Sequence, residues 1–391
     1  MDYSRYISSR AQSLKPSGIR KFFDVAASMP NCISLGVGEP NFVTPDYARE
    51  AAIASIQRGE TKYTSNSGLI ELREAIKKYL SQRFNLEYDV SQIIITVGVS
   101  EAIDNTLRAL INFGDEVLIP EPCFVSYAPC VTLAGGAPIS IPCTKDNGFI
   151  LTKEQIKSRI TDKTKLVFVP FPSNPTGGIM TKEQLEDIAE VIIENDLLVL
   201  SDEVYAELTY GENKHYSIAN VKGMQERTVY LNGFSKAFAM TGWRIGFAAA
   251  PVEIIQQILK IHQYAIMCAP TAGQYAALAC LEEGFKDNFA TVEMMKAEYD
   301  RKRKFLYKSL LDMGLECFEP LGAFYMFPSV ESTGMNGEEF ATAFLKSHEV
   351  AVVPGGAFGN SGVNHIRISY AYSMEKLEKA MDRMREFLKK R

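Results

Sequence analysis

The chain has 391 residues, of which 46% are apolar and 23% charged, and its formal net charge is −5. That balance belongs to a globular protein and excludes disordered, collagen-like and disulfide-miniprotein classes; the absence of a basic excess argues against a dedicated nucleic-acid binder. Single hydrophobic cores stop growing at roughly 250–300 residues, so two packed domains are expected.

The opening MDYSRYISSR has neither an apolar core nor a small-residue cleavage site, so no secretory leader is expected. No apolar run approaches the ~20 residues that span a bilayer, and a soluble, cytoplasmic protein without membrane contact is the expectation. Cys32–Gly38 reads as a first strand. Short apolar runs rich in Ile, Val and Leu follow at Gln92–Gly98, Glu116–Pro120, Ala137–Cys143, Lys165–Pro170, Leu197–Asp202, Thr228–Gly233 and Ile245–Ala250. They lack strict alternation, which suits strands buried on both faces. Helical patterns separate them, among them Ser100–Asn112 and Thr181–Asn195, the latter opening on a Thr-Lys-Glu-Gln capping box. Strands alternating with helices predict βαβ units and a mostly parallel sheet.

After Pro251 the pattern changes. Helices are predicted over Val252–His262, Gln274–Glu282 and Val292–Met313, then short strands at Gly322–Phe327, Ala351–Val353 and His365–Ser369. Met374–Lys390 is a last helix, its final Lys-Lys-Arg complementing the negative end of the helix dipole. The basic run Arg301–Lys304 reads as a solvated helix face. The expected fold is α/β: a large domain with a mostly parallel seven-stranded sheet flanked by helices, over residues 48–285. A smaller α+β domain would be assembled from both chain ends, residues 1–47 and 286–391.

The seven cysteines are scattered with no CxxC pair, which predicts reduced, mostly buried thiols. The four histidines are scattered too, no HExxH occurs, and no metal site is expected. GxxxxGK[ST] is absent, Gly36-Val37-Gly38 lacks the third glycine of a dinucleotide fingerprint, and Gly233-Phe234-Ser235 lacks the closing glycine of a nucleophile elbow. One stretch stands out: GFSKAFAMTGWRIG at residues 233–246 sets Lys236 directly after a buried strand and Arg244 eight residues on. A lysine held in a desolvated place loses part of its basicity and becomes an amine nucleophile toward carbonyls. Ser173-Asn174-Pro175-Thr176-Gly177 and Ser201-Asp202-Glu203-Val204-Tyr205 also close strands, where α/β folds place ligands. Taken singly, each residue reads equally as a strand-end or turn residue; a lysine, an arginine, an asparagine, an acid and a tyrosine at strand ends of one sheet do not.

With these motifs in this order and spacing, the sequence resembles the class I/II aminotransferases, fold-type I enzymes that use pyridoxal 5′-phosphate (PLP), over nearly its whole length. Within them it is most similar to the aspartate, aromatic and N-acetyl-L,L-diaminopimelate aminotransferase branch, and residues 17–22 (SGIRKF) and Ser201–Tyr210 lean toward the last two. The resemblance implies that Lys236 joins the cofactor as a Schiff base and shuttles the proton at Cα. It implies that Asp202 pairs with the pyridinium nitrogen, and that Asn174 and Tyr205 donate to the phenolic oxygen. Asn174 also reaches the substrate carboxylate and is followed by a cis proline in many relatives. Phe124 matches the aromatic that stacks on the ring and borders the substrate.

For the phosphate, the resemblance implies Val99 and Ser100 at a helix start, Arg244, and Tyr63 donated by a neighbouring subunit. Gly233 departs from the pattern, since many relatives carry a phosphate-binding serine there, and Ser235 is the candidate substitute. Arg367 matches the arginine that grips the substrate α-carboxylate, and Gly38 the backbone beside it. The implied activity is transfer of an amino group from an L-amino acid to a 2-oxo acid by a ping-pong route, with 2-oxoglutarate/glutamate as one pair, in a homodimer with composite sites. Three rivals share parts of the pattern: another PLP enzyme such as a C–S lyase, a decarboxylase or an aminocyclopropane-carboxylate synthase; a non-catalytic PLP-binding module; and a nicotinamide-dependent enzyme.

Overall fold

The computed structural model describes residues 1, 3–14 and 29–389. The SGIRKF stretch and the last two basic residues therefore lie outside the described residues. Near the start, β1 is only Ile33–Ser34. The large sheet comprises β2 (Ile93–Thr96), β3 (Glu116–Glu121), β4 (Ala137–Pro142), β5 (Thr164–Phe168), β6 (Leu198–Asp202), β7 (Thr228–Gly233) and β8 (Gly246–Ala249). All seven predicted runs are strands of this one sheet, in the order β2-β8-β7-β6-β5-β3-β4. β8 alone runs against its neighbours β2 and β7; the remaining pairs are parallel. β2, β7 and β8 are buried at every position because helices cover both faces, which is why the runs carry no alternation.

The helix Lys182–Glu194 begins on the expected capping box: Gln184 N–H donates to Thr181 Oγ1 and Gln184 Oε1 accepts the Thr181 N–H. The helices Gly98–Leu110, Val252–Ala265, Ala290–Asp312 and Met374–Lys389 match the predicted patterns to within three residues at their ends, while Thr271–Asp287 runs three residues before and five beyond the predicted Gln274–Glu282. No described helix is long and apolar enough to cross a membrane.

The C-terminal strands are shorter than their sequence patterns. β9 is Tyr325–Met326, and Ala351–Val353 divides into β10 (Val350–Ala351) and β11 (Val353–Pro354), which join different sheets. β10 pairs in parallel with β1, while β12 (Ile366–Ser369) lies between β11 and β9. Beyond β1, Leu35 continues the contact, donating its N–H to Ala351 O and accepting the Ser369 N–H. The N-terminal segment and the C-terminal third thus share a core, with Leu35 packed among Tyr299, Phe324, Phe344 and Ile368.

The basic run on the long helix corrects an expectation. Arg301 and Lys304 are solvated, but Lys302 and Arg303 are buried. Lys302 Nζ donates to Asn41 Oδ1 at 3.2 Å and lies over the Phe42 and Tyr299 rings. Arg303 donates to Asp300, Glu319 and the Pro320 carbonyl. Each buried charge has found oxygen partners.

Candidate active site

The site forms at the edge where the parallel strands end. Phe124 follows the end of β3, Asn174 follows β5, and Asp202 is the last residue of β6. β7 runs into the short helix Phe234–Ala237, which carries Ser235 and Lys236. β8 runs the opposite way, so its start lies at this same edge, with Arg244 two residues before it. The helix after β2 opens here as well and presents Val99 and Ser100. Gly38 and Arg367 arrive from the smaller part of the structure. All of these residues, with Tyr205, line one cavity of about 560 Å³. Tyr63 does not: it lies on the surface, 78% exposed.

Lys236 Nζ donates to Gly38 O at 2.6 Å. Burial holds its amine down at about 8; Arg367 and Arg244 push the same way, while Glu39 and Asp202 oppose them. Asp202 is buried, and loss of water holds its carboxyl up at about 6, against the hydrogen bonds that favour its charge. Those come from Tyr127 Oη to Oδ2 at 2.7 Å and from the Val204 N–H to Oδ1 at 3.4 Å. Asn174-Pro175 is cis, and Asn174 Oδ1 accepts from Arg367 Nη1 at 2.8 Å. Arg367 Nη2 donates to Gly36 O, and its guanidinium lies between the Tyr325 and Phe358 rings. Burial lowers the Arg367 pKa. The hydroxyls of Tyr205 and Tyr325 are 2.8 Å apart, and burial sends Tyr205 well above the ordinary tyrosine range.

Arg244 sits in the left-handed region at φ 56° and donates to Thr241 O and Val97 O. Gly98 has φ +71°, and a Cβ there would lie 2.4 Å from Arg244 Nη2. Only glycine lets the helix start and the guanidinium approach so closely. At the departure Gly233, a Cβ would lie 3.0 Å from Gly246 Cα and 3.1 Å from Ile245 O, a tight fit. Ser235, two residues on, lines the cavity instead.

Sequence reasoning missed Tyr127, Tyr325 and Phe358. Tyr127 is part of the Pro122–Tyr127 stretch, but no pattern shows that it reaches Asp202, 75 residues away. Tyr325 belongs to the two-residue strand β9 and Phe358 to a short 3-10 turn, Gly355–Phe358, and neither carries a motif.

These residues fit PLP, on the chemistry of the donor set. The polar contacts of Lys236, Arg244 and Arg367 are all to uncharged oxygens, and no ion pair joins any of them among the described residues. Arg367 Nε is buried without a partner among the described residues, so the guanidinium retains capacity for an incoming anion. One cavity thus offers two arginines for two anions, a weakly basic amine for a carbonyl, and a buried carboxylate for a ring nitrogen. Arg244 and the helix start would hold the phosphate, Asp202 the ring nitrogen, and Lys236 the aldehyde carbon. No group of three or more metal-ligating side chains occurs among the described residues.

Comparison with known proteins points the same way. Residues 30–384 match the family model described as aminotransferase class I and II. The chain is 48% identical to an aspartate aminotransferase of Pyrococcus abyssi, across 98% of this chain and 99% of that one. It is 44% identical, over the same shares, to aromatic-amino-acid aminotransferase 2 of Thermococcus litoralis. The solved structure of Thermus thermophilus aspartate aminotransferase with maleate superposes with a TM-score of 0.92 at 36% identity, covering 97% of this chain and 99% of that one.

Proposed function

The chain belongs to the class I and II aminotransferases, PLP-dependent enzymes of amino acid metabolism, and on that premise we propose that it works by a two-half, ping-pong route with glutamate and 2-oxoglutarate as one substrate pair. PLP, when bound, supplies an electrophilic carbon for the amino group and a ring that accepts the electron pair of the substrate Cα. The observation that carries the assignment of residues is Lys236: a buried amine held at about 8, facing a buried carboxylate and an arginine with spare donors in one cavity.

Arg367 binds the substrate α-carboxylate through its planar fork, with Asn174 beside it, and this fixes which Cα bond faces Lys236. Lys236 Nζ would take the proton from Cα and deliver it to the cofactor carbon that carries the amino group in the first half, and would move a proton the opposite way, onto Cα of the second substrate, in the reverse half. Its lowered pKa lets it act as base near neutral pH without losing the ability to return the proton. Asp202 holds the proton on the ring nitrogen, and Tyr127 keeps that carboxylate oriented. Tyr205 and Asn174 donate to the cofactor's phenolic oxygen. Phe124 packs on the ring face. Val99, Ser100, Ser235 and Arg244 take the phosphate. Gly38 shields the amine from water until substrate arrives.

Tyr63 completes the phosphate site of a second copy, which makes the homodimer the working unit. Its exposure away from its own cavity supports this reading. The names of relatives include aspartate and aromatic aminotransferases, and amino acids of those two kinds are the first donors to try.

The test is the visible spectrum of the PLP-loaded protein. L-glutamate should bleach the yellow band and 2-oxoglutarate should restore it. Lys236→Ala should bind PLP yet give no transfer. A band indifferent to glutamate but bleached by another amino acid refutes the substrate pair. Full activity in the alanine variant refutes the residue assignment.

A further inference from the structure

The helix that opens on the phosphate site carries an acid where an anion is least welcome. Glu101 is the fourth residue of the helix Gly98–Leu110 and directly follows Ser100. Its carboxylate does not face the cavity. It turns back instead: Oε2 accepts the Val97 N–H at 2.5 Å, and Oε1 accepts from Asn105 Nδ2 at 2.8 Å. The third contact comes from another helix. His262, on Val252–Ala265, is fully buried, and its Nδ1 lies 2.7 Å from Glu101 Oε1. A carboxylate only accepts, so Nδ1 bears the proton of this bond. His262 Nε2 has no partner among the described residues, so there the imidazole is committed to this one contact.

We propose that His262 is a positioning residue for the cofactor phosphate: it holds the Glu101 carboxylate turned onto Val97, so that the first turn offers N–H donors and not a negative charge to the anion. The proposal rests on the reading that Arg244 and the start of this helix hold the phosphate. Three features support it. The Val97 N–H that Glu101 accepts sits immediately before Gly98, the glycine packed against Arg244. Burial works to raise the Glu101 pKa, but the His262, Val97 and Asn105 contacts outweigh it and keep the group anionic. A carboxylate released from these donors would lie within a helical turn of the phosphate, where like charges repel strongly in a partly dry site. His262 is therefore coupled to phosphate binding without touching the phosphate.

The experiment compares binding of PLP and of pyridoxal, which lacks the phosphate, to cofactor-free protein. His262→Leu should weaken PLP by about tenfold or more, the scale of a hydrogen bond to a charged group, and leave pyridoxal nearly unchanged. Adding Glu101→Gln should restore PLP affinity, because the amide oxygen still accepts the Val97 N–H and carries no charge. Equal weakening of PLP and pyridoxal, no weakening at all, or no recovery in the double variant would overturn the proposal. If His262→Leu does not fold, Glu101→Gln alone decides: PLP affinity at or above that of the wild type supports the proposal, and a selective loss of PLP overturns it. Arg244→Ala separates the two layers. A collapse of the preference for PLP over pyridoxal in that variant upholds the site reading, so that a failure at His262 falls on this proposal only. An unchanged preference removes the site reading and the proposal with it.

Discussion

Replacing Asp202 by asparagine should stabilise the cofactor-free protein while removing its amino transfer. The carboxyl is buried at the end of β6, and loss of water holds its pKa up at about 6 against an ordinary 3.8. At about 1.4 kcal/mol per pH unit, keeping that group ionised inside the fold costs about 3 kcal/mol. The sign follows from proton uptake. Between pH 3.8 and about 6 the folded chain retains a proton that the unfolded chain has released, so stability falls as pH rises through this window. Above it the full cost is present. Asp202→Asn keeps the shape, still accepts the Tyr127 hydroxyl and carries no charge. Urea unfolding of both cofactor-free proteins, at matched concentration, should show the variant gaining on the wild type by about 3 kcal/mol between about pH 4 and about pH 7.5. Turnover should nearly vanish, because nothing then holds the proton on the ring nitrogen. A stability difference between the two proteins that is the same at both pH values would refute the argument, since a solvated carboxylate has no such cost.

Other consequences follow from individual contacts. Amine-directed labelling of Lys236 in the cofactor-free protein should rise through about pH 8; an inflection near 10.5, where exposed lysines titrate, would show that the amine is solvated. Arg367→Ala should raise KM for every amino acid donor alike, because it removes α-carboxylate binding, and loss confined to one donor would show that Arg367 reads the side chain. Behind Asp202, the buried Glu203 accepts from Ser201 and Ser217 and faces His215 Nε2 at 2.5 Å. His215→Leu leaves that carboxylate short of a partner and should cost about 3 kcal/mol in denaturant unfolding. Pairing it with Glu203→Gln should recover much of this loss, and an undiminished loss in the double variant would trace the effect to packing.

The large sheet was legible because its signals are local. A strand covered by helices on both faces must carry apolar residues at successive positions, as Ile93–Ile95 and Val229–Leu231 do. The helix after Thr181 starts where a hydroxyl and a glutamine three residues apart can satisfy each other's backbone. The candidate site was legible for a related reason: loops at one edge of a parallel sheet converge, so strand-end residues from distant parts of the sequence share a cavity. The small strands were less legible, since a two-residue strand such as Ile33–Ser34 carries no period.

Length, composition and the run of strands and helices were set by the sequence alone, as was the presence of a lysine and an arginine in one motif after a buried strand. Tertiary structure decided which side chains meet. Tyr127 reaches Asp202, Tyr325 reaches Tyr205, and His262 reaches Glu101 across separations of 75, 120 and 161 residues. It also turned Lys302 and Arg303 inward from a run that reads as solvent-facing. The physical reason is range. Periodicity, capping and backbone geometry act between residues a few positions apart and are written in order along the chain. Burial, and the hydrogen bonds and pKa shifts that follow from it, depend on what the remaining layers bring within a few ångströms.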